Sequence, residues 1–175
     1  MSTLATPKYI EELRAMHARE PWGTKGARHI RNILPWYYDL QCSSILDYGS
    51  GAETLRIELG GLDPPIDVQC YDLGVPGREV AEPADFVVCT DVLEHIEPEL
   101  VENVLQHISS LGRKGAFFNI ALTPAKRFLP DGRNAHILLK PGVWWHEQIV
   151  KSGWEVREEK IGKKSMQLWL KKPAS

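Results

Sequence analysis

The chain contains few cysteines and no long apolar run. Cysteine occurs only at Cys42, Cys70 and Cys89, without C-x-x-C spacing, which argues against a disulfide framework or a cysteine-based zinc site. No stretch approaches the about 20 apolar residues of a membrane span, and the polar N-terminus has no apolar signal core. We therefore expect a cytoplasmic protein with reduced thiols and no membrane partner.

An excess of one charge is also missing. The sequence has 21 Lys and Arg against 23 Asp and Glu, for a net charge of −2, which argues against a general electrostatic grip on nucleic acid. Its basic clusters are short, such as Lys163-Lys164, and are typical of solvated surface. A nucleic-acid partner stays open but is not favoured. The length of 175 residues and the 43% hydrophobic content indicate one globular domain with a proper core.

Residues 44–55 have the pattern of a strand, a sharp turn and the start of a helix. A short apolar run ends at Asp47, and Gly49 and Gly51 follow it. Such a run predicts a buried strand of a parallel sheet, while the glycines let bare backbone approach a ligand closely. The helix that begins there directs unpaired N–H groups at the turn, where an anionic group is favoured. The stretch therefore predicts a nucleotide-like cofactor site.

The glycine spacing discriminates between cofactors. A dinucleotide fingerprint needs a third glycine where Thr54 stands, which disfavours a nicotinamide oxidoreductase. The D-x-G-x-G pattern instead resembles the first motif of class I S-adenosylmethionine-dependent methyltransferases, although Glu53 occupies the position of that motif's usual third glycine. The resemblance implies S-adenosylmethionine as the cofactor. The cofactor-binding residues that it implies in this turn are Asp47, Gly49, Ser50 and Gly51.

The second predicted strand extends the resemblance. Residues 68–71 form this strand, which ends at Asp72, where folds of this kind hold a ribose. The resemblance assigns the ribose to Asp72 and the adenine to Leu73, and an Asp72 that only caps the following turn is the alternative. The segment 73–84 is too short for a helix, a strand and a second helix, so the third strand is missing or reduced to something like residues 78–80.

A third match follows the strand 85–90. The string from Asp91 to Ile96, D-V-L-E-H-I, resembles the fourth motif of the same methyltransferases and implies that Asp91 and Glu94 lie where the methionine end of the cofactor meets the acceptor. His95 either orients or deprotonates an acceptor, or is a structural histidine bonded to backbone. Glu94, His95, His136 and His146 show no H-x-x-x-H spacing, and we predict no metal site.

The stretch 122–141 has no clear periodicity, and loops of that length inside compact domains are usually functional. We predict that it is the acceptor-side loop. Arg127 or Arg133 is a candidate clamp for an anionic acceptor, and Asp131 or His136 a candidate proton acceptor. The alternative is a solvent-exposed loop whose polar side chains have no functional role. Residues 131–136 and the P-x-x-W-W element after them look like a group of short bacterial and phage methyltransferases of unknown acceptor.

Alternating strands and helices predict a single α/β domain over residues 1–175. We expect a doubly wound, Rossmann-like, mostly parallel sheet with helices on both faces, a reduced third-strand region and an antiparallel last strand. Residues 1–43 form a helical cap, with a kink or break at Pro35, on a core of residues 44–175. Trp22, between the two cap helices, is either a lid over the cofactor or a packing anchor.

We expect an S-adenosylmethionine-dependent methyltransferase that acts on a small molecule or a nucleotide. Methyl transfer from a sulfonium needs mainly positioning, so a sparse set of bases is no objection. The small size and the reduced third-strand region suggest an alternative, a non-catalytic S-adenosylmethionine-binding subunit or sensor. A nucleic-acid methyltransferase is a further alternative. The sequence carries no signal for the oligomeric state.

Overall fold

The computed structural model of the chain describes residues 3–19 and 22–173. The helices are α1 (Pro7–Arg19), α2 (Ile30–Asp39), α3 (Thr54–Gly60), α4 (Val101–Leu111) and α5 (Gly142–Lys151). The strands are β1 (Ile45–Tyr48), β2 (Val68–Tyr71), β3 (Ala84–Thr90), β4 (Gly112–Ala121), β5 (Glu155–Ile161) and β6 (Ser165–Lys171). Within these described ranges, no helix has the length and apolarity needed to cross a bilayer.

The six strands form one sheet in the order β2-β1-β3-β4-β6-β5. The pairs β1–β2, β1–β3 and β3–β4 are parallel, whereas β6 is antiparallel to both β4 and β5. The buried, β-branched and aromatic residues of β3 make it a central strand. The predicted doubly wound, mostly parallel sheet with an antiparallel last strand is confirmed.

Helices cover both faces of this sheet. Because side chains alternate along a strand, Val87 and Cys89 of β3 pack on one face with α4 and α5, while Phe86 and Val88 pack on the other with α2 and α3. The apolar stripe of α4 supplies much of the first layer, through Val101, Val104, Leu105 and Ile108. The prediction of helices on both faces is confirmed.

The segment 72–83, all of which the structure describes, contains no helix or strand, so β2 lies at one edge of the sheet. The segment folds back beside β2. The amide of Asp72 donates to the carbonyl of Arg78 at 2.9 Å, and the amide of Glu82 donates to Gln69 Oε1 at 3.0 Å. The reduced third-strand region is confirmed. At the opposite edge, β5 carries mostly exposed charged side chains.

The helix α2 runs through Pro35, so the expected break there is wrong. Ile33 and Tyr37, on either side of the proline, are buried and pack with Phe86 and Val88 of β3, which offsets the one lost hydrogen bond. The strand β4 begins at Gly112, directly after α4.

The tandem tryptophans of α5 occupy different environments, and this makes a stability prediction. Trp145 is fully buried and Trp144 only partly. Replacing a buried tryptophan by alanine costs about 3–5 kcal/mol. We expect Trp145→Ala to lower the free energy of unfolding, measured by urea denaturation, by about this amount, and Trp144→Ala to lower it clearly less. Equal losses in the two variants would contradict this account of the core.

Candidate functional site

An open pocket of about 810 Å³, including the solvent-filled space at its mouth, lies at the carboxyl ends of β1, β2 and β3. The predicted site residues on its wall are Trp22, Gly49, Gly51, Asp72, Leu73, Asp91 and His95. Asp47 and Ser50 are buried and do not form part of the wall. Asp131 and His136 also lie off it. The structure therefore brings together seven of the residues that the sequence singled out.

The turn after β1 requires glycine twice. Gly49 has φ 82° and Gly51 has φ 47°, a region that favours glycine. A Cβ atom at Gly49 would collide with the side chain of Val92, and one at Gly51 would collide with the backbone of Trp22 and Gly23. The two glycines thus allow both the bend itself and the close seating of the N-terminal segment on it.

Glu53, at the position where the methyltransferase motif usually has a third glycine, keeps a glycine-like backbone. Its φ is 57°, in the left-handed region, which costs free energy for a residue with a side chain. The Glu53 carboxylate pairs with Arg56 at 2.7 Å and with Arg78 at 2.8 Å. Arg78 also donates to the carbonyl of Gly51 at 2.8 Å. The departure from the motif therefore leaves the shape of the turn intact.

Asp72 connects the glycine turn to the end of β2. Its carboxylate accepts hydrogen bonds from the amide of Gly51 at 2.9 Å and from that of Gly74 at 2.8 Å. Each carboxylate oxygen keeps capacity for another donor, and the side chain lies on the pocket wall. Asp72 thus caps its turn and also faces the pocket, so the two interpretations of this residue are compatible.

Asp47 is a buried carboxylic acid in the middle of the sheet. It stands on β1 between Cys70 of β2 and Val88 of β3 and is 3% exposed. Burial, followed by the negative charge of Asp72, raises its pKa to about 7. Asp47 therefore lies buried in the sheet just before the turn, and its carboxyl group is largely protonated under mildly acidic conditions.

The turn after β3 presents Asp91 to the pocket. Its φ of 56° is left-handed, and its amide donates to the carbonyl of Asn119 at 2.9 Å. The Asp91 carboxylate accepts from Asn119 Nδ2 at 2.7 Å and lies 3.2 Å from Lys25 Nζ. This lysine was not singled out by the sequence. Asp91 thus holds a negative charge on the wall, with a cation from the N-terminal segment beside it.

His95 is neutral and firmly oriented. Burial, and then the neighbouring charge of His136, lower its pKa to about 4. Its Nδ1 lies 2.7 Å from the carbonyl of Ala135, and because a carbonyl only accepts, Nδ1 carries the proton and Nε2 a lone pair. A pKa this low makes His95 a weak proton acceptor near neutral pH. It is a backbone-bonded histidine that also lines the pocket.

The helix α1 lies in the predicted N-terminal cap and forms a wall of the pocket. Residues of this segment that line the pocket are Leu4, Ala5, Tyr9, Leu13 and His17. Both oxygens of the Glu97 carboxylate accept from Thr6 at 2.7 Å, and the Tyr9 hydroxyl donates to the carbonyl of His95 at 2.6 Å. These contacts with residues 95–97 hold α1 beside the pocket.

Trp22 lies between the glycine turn and the loop 122–141. Its carbonyl accepts from the amide of Ala52 at 2.8 Å, and its ring centroid lies 6.0 Å from that of His95 and 4.8 Å from Arg127 Cζ. Within the described part of the chain, its indole N–H has no hydrogen-bond partner. Trp22 therefore packs on the turn and also lines the pocket, while its role as a lid over the cofactor stays a prediction.

The loop 122–141 is irregular, as expected, and its candidate residues have separate locations. His136 lies beside His95, with ring centroids 4.9 Å apart. Asp131 is exposed and bonds to Arg133 at 2.6 Å, and the hydrogen bonds from Arg133 lower the Asp131 pKa. The structure therefore brings His136 near the pocket but does not bring Asp131 there.

A second pocket adjoins the first, and Trp22 lines both. Its other lining residues are Met16, Arg19, Lys126, Arg127, Phe128, Leu129 and Pro130. Arg127, one of the two predicted anion clamps, is thus on a pocket wall. The other, Arg133, bonds to Asp131 and to Glu12 at 3.3 Å.

The pKa of Asp47 makes the stability of the unliganded protein depend on pH. The folded-state pKa of about 7 lies above the ordinary value of 3.8, so the folded state keeps a proton that the unfolded state releases. The free energy of unfolding should fall as pH rises from about 4 to about 7. In Asp47→Asn this part of the fall should disappear, measured by urea denaturation across that range. Asp39→Asn, at the exposed end of α2, is the control, and parallel curves for Asp47→Asn and the wild type would refute the assignment.

The sequence matches no protein-family model and no curated protein, whereas solved structures are similar over nearly the whole chain. The 1,6-didemethyltoxoflavin-N1-methyltransferase of Burkholderia thailandensis has a TM-score of 0.62 at 15% identity, covering 99% of this chain and 93% of that one. The magnesium protoporphyrin IX methyltransferase of Synechocystis has a TM-score of 0.61 at 13% identity, covering 95% of each chain. The DhpI complex with S-adenosylhomocysteine has a TM-score of 0.61 at 13% identity, covering 97% of this chain and 100% of that one. The chain therefore has the fold of class I S-adenosylmethionine-dependent methyltransferases.

Proposed function

We propose that the protein is an S-adenosylmethionine-dependent methyltransferase with a small-molecule acceptor. The observation that carries the proposal is the meeting of the glycine turn, Asp72 and Asp91 on the wall of one pocket. The structures of the 1,6-didemethyltoxoflavin-N1-methyltransferase and the magnesium protoporphyrin IX methyltransferase contain S-adenosylhomocysteine. This supports the same cofactor here.

In this proposal the adenosine part lies between β2 and α1. The Asp72 carboxylate accepts hydrogen bonds from the ribose hydroxyls, with the added strength of a charged acceptor. Leu73 lies on one side of the adenine. Since the segment 72–83 contains no third strand within the described chain, the opposite side falls to α1, where Leu13 and His17 face the pocket.

The methionine part lies along the glycine turn toward Asp91. The cofactor's ammonium group is a cation, and the Asp91 carboxylate on the wall is a suitable partner for it. Lys25 Nζ lies 3.2 Å from the same carboxylate. The lysine and the ammonium group therefore compete for one carboxylate.

The space for the acceptor is small and largely apolar. In this proposal the acceptor lies beside Tyr9, His95 and Ile96 of the pocket wall, which suits a small organic molecule better than a polymer. Two similar structures are named for methyltransferases of didemethyltoxoflavin and magnesium protoporphyrin IX. His95 lines this part of the pocket, and its low pKa means that it contributes little as a base. The exposed Asp131 has no part in this scheme.

The ribose assignment predicts a loss of cofactor affinity in Asp72→Ala. Removing a pair of hydrogen bonds to a charged group costs about 1.5–3 kcal/mol, which weakens binding about ten- to hundredfold. Calorimetric titration with S-adenosylhomocysteine measures this. Asp72→Asn, which keeps an acceptor for the Gly51 amide, separates the ribose contact from the support of the turn. Asp67→Ala, an exposed acid just before β2, is the control, and unchanged affinity in Asp72→Ala would remove the assignment.

Turnover distinguishes the enzyme from a non-catalytic binder. We expect label to move from methyl-labelled S-adenosylmethionine to at least one member of a panel of small aromatic and heteroaromatic acceptors with N–H or O–H groups. The measurement is the labelled product, separated by chromatography. Stoichiometric cofactor binding with no transfer to any acceptor, nucleotides and nucleic acids included, would favour the sensor instead.

A further inference from the structure

Three potential metal ligands converge where the turn after β3 meets the loop 122–141. Glu94, His95 and His136 each offer one ligand atom, and these atoms lie within 4.8 Å of one another. His95 also lines the large pocket, so the cluster adjoins that pocket. His146 does not join it, because its Nδ1 bonds to Glu159 at 2.8 Å on the far side of α5.

In both histidines, the hydrogen bond at Nδ1 leaves Nε2 unprotonated and able to bind a cation. His95 Nδ1 bonds to the carbonyl of Ala135 at 2.7 Å, and His136 Nδ1 bonds to the carbonyl of Thr123 at 2.6 Å. Each carbonyl only accepts, so each Nδ1 carries the proton and each Nε2 carries a lone pair. A backbone carbonyl that orients the ring in this way is the usual support of a metal-binding histidine.

Glu94 supplies an oxygen that the protein itself does not satisfy. The side chain is fully buried, and its Oε1 accepts from the amide of Ala121 at 3.0 Å and lies 3.9 Å from His136 Nε2. Its Oε2 is buried without a hydrogen-bond partner among the described residues. A buried polar atom left in this state is costly, and a cation bound at this carboxylate would offset the cost.

We propose that Glu94, His95 and His136 bind one divalent transition-metal cation. Two imidazole nitrogens and one carboxylate oxygen suit zinc and ferrous or cobaltous ions, whereas magnesium and calcium prefer oxygen ligands alone. Three protein ligands leave a coordination position open. The sequence predicted no metal site, because His136 is about 40 residues from Glu94 and His95 along the chain and no local spacing pattern connects them.

Binding requires a small closure of the cluster. Ligands bonded at about 2.0–2.1 Å in tetrahedral geometry lie about 3.4 Å apart, closer than the 4.8 Å limit that encloses the present atoms. His136 belongs to a segment without helix or strand, and its side chain is 15% exposed. The loop therefore provides both the adjustment and the entry path.

The test titrates the chelator-treated protein with zinc chloride alone, by calorimetry and by thermal unfolding. We expect one equivalent to bind and the melting temperature to rise. Glu94→Gln and His136→Gln should each weaken binding by at least about tenfold, the lower bound for removing even a supporting residue. His146→Gln, which changes a histidine outside the cluster, should bind as the wild type does. No step measures methyl transfer, so the outcome is independent of the proposed function.

Wild-type protein that binds no stoichiometric zinc overturns the proposal, and so do equal affinities in the wild type and the two cluster variants. Circular dichroism shows whether each variant folds. If Glu94→Gln does not fold, the visible absorption of bound cobalt(II) provides the test instead. Intense visible absorption of cobalt(II) in the wild type that is lost in His136→Gln supports the site, and a spectrum unchanged by that substitution refutes it.

Discussion

The backbone-to-backbone contact between the N-terminal segment and the turn after β1 is the constraint on which the site depends. Gly51 has no side chain, so the main chain of Trp22 and Gly23 can lie directly on it. The Gly51 amide is held by Asp72, which couples this contact to the end of β2. A side chain at Gly51 would collide with Trp22 and Gly23 and displace the part of the pocket wall that these two residues form. Because Gly51 has no Cβ atom, the cap can contact the turn at the point where the turn is bonded to the end of β2.

The fold follows from local patterns, which is why most of it was predictable from the sequence. Short apolar runs ended by glycine or an acid became β1 and β2, and the stripe of α4 became one covering layer. The short segment 73–84 also sufficed to predict that a strand is missing. The error at Pro35 has the same origin, because a local rule about proline takes no account of Ile33 and Tyr37 packing on the sheet.

The site was predictable only where neighbouring residues define it. The glycine turn, Asp72 and Asp91 belong to contiguous motifs, and the structure brings them to one wall. Contacts between distant parts of the chain left no local signal, among them those of Thr6 with Glu97, of Lys25 with Asp91 and of His136 with His95. Asp131 shows the converse. Its residue type suits proton transfer, but its hydrogen bonds with Arg133 hold it at the surface.

The shortened connection after β2 has a consequence for association. An open strand edge is a template on which another chain can add a strand and begin aggregation. Here the returning segment bonds to Asp72 and Gln69 along the β2 side. On the β5 side, the exposed side chains are Glu155, Arg157, Glu158, Glu159 and Lys160, and such a charged border resists intermolecular pairing. The chain therefore has one strand fewer, but both edges of its sheet carry features that oppose intermolecular strand pairing.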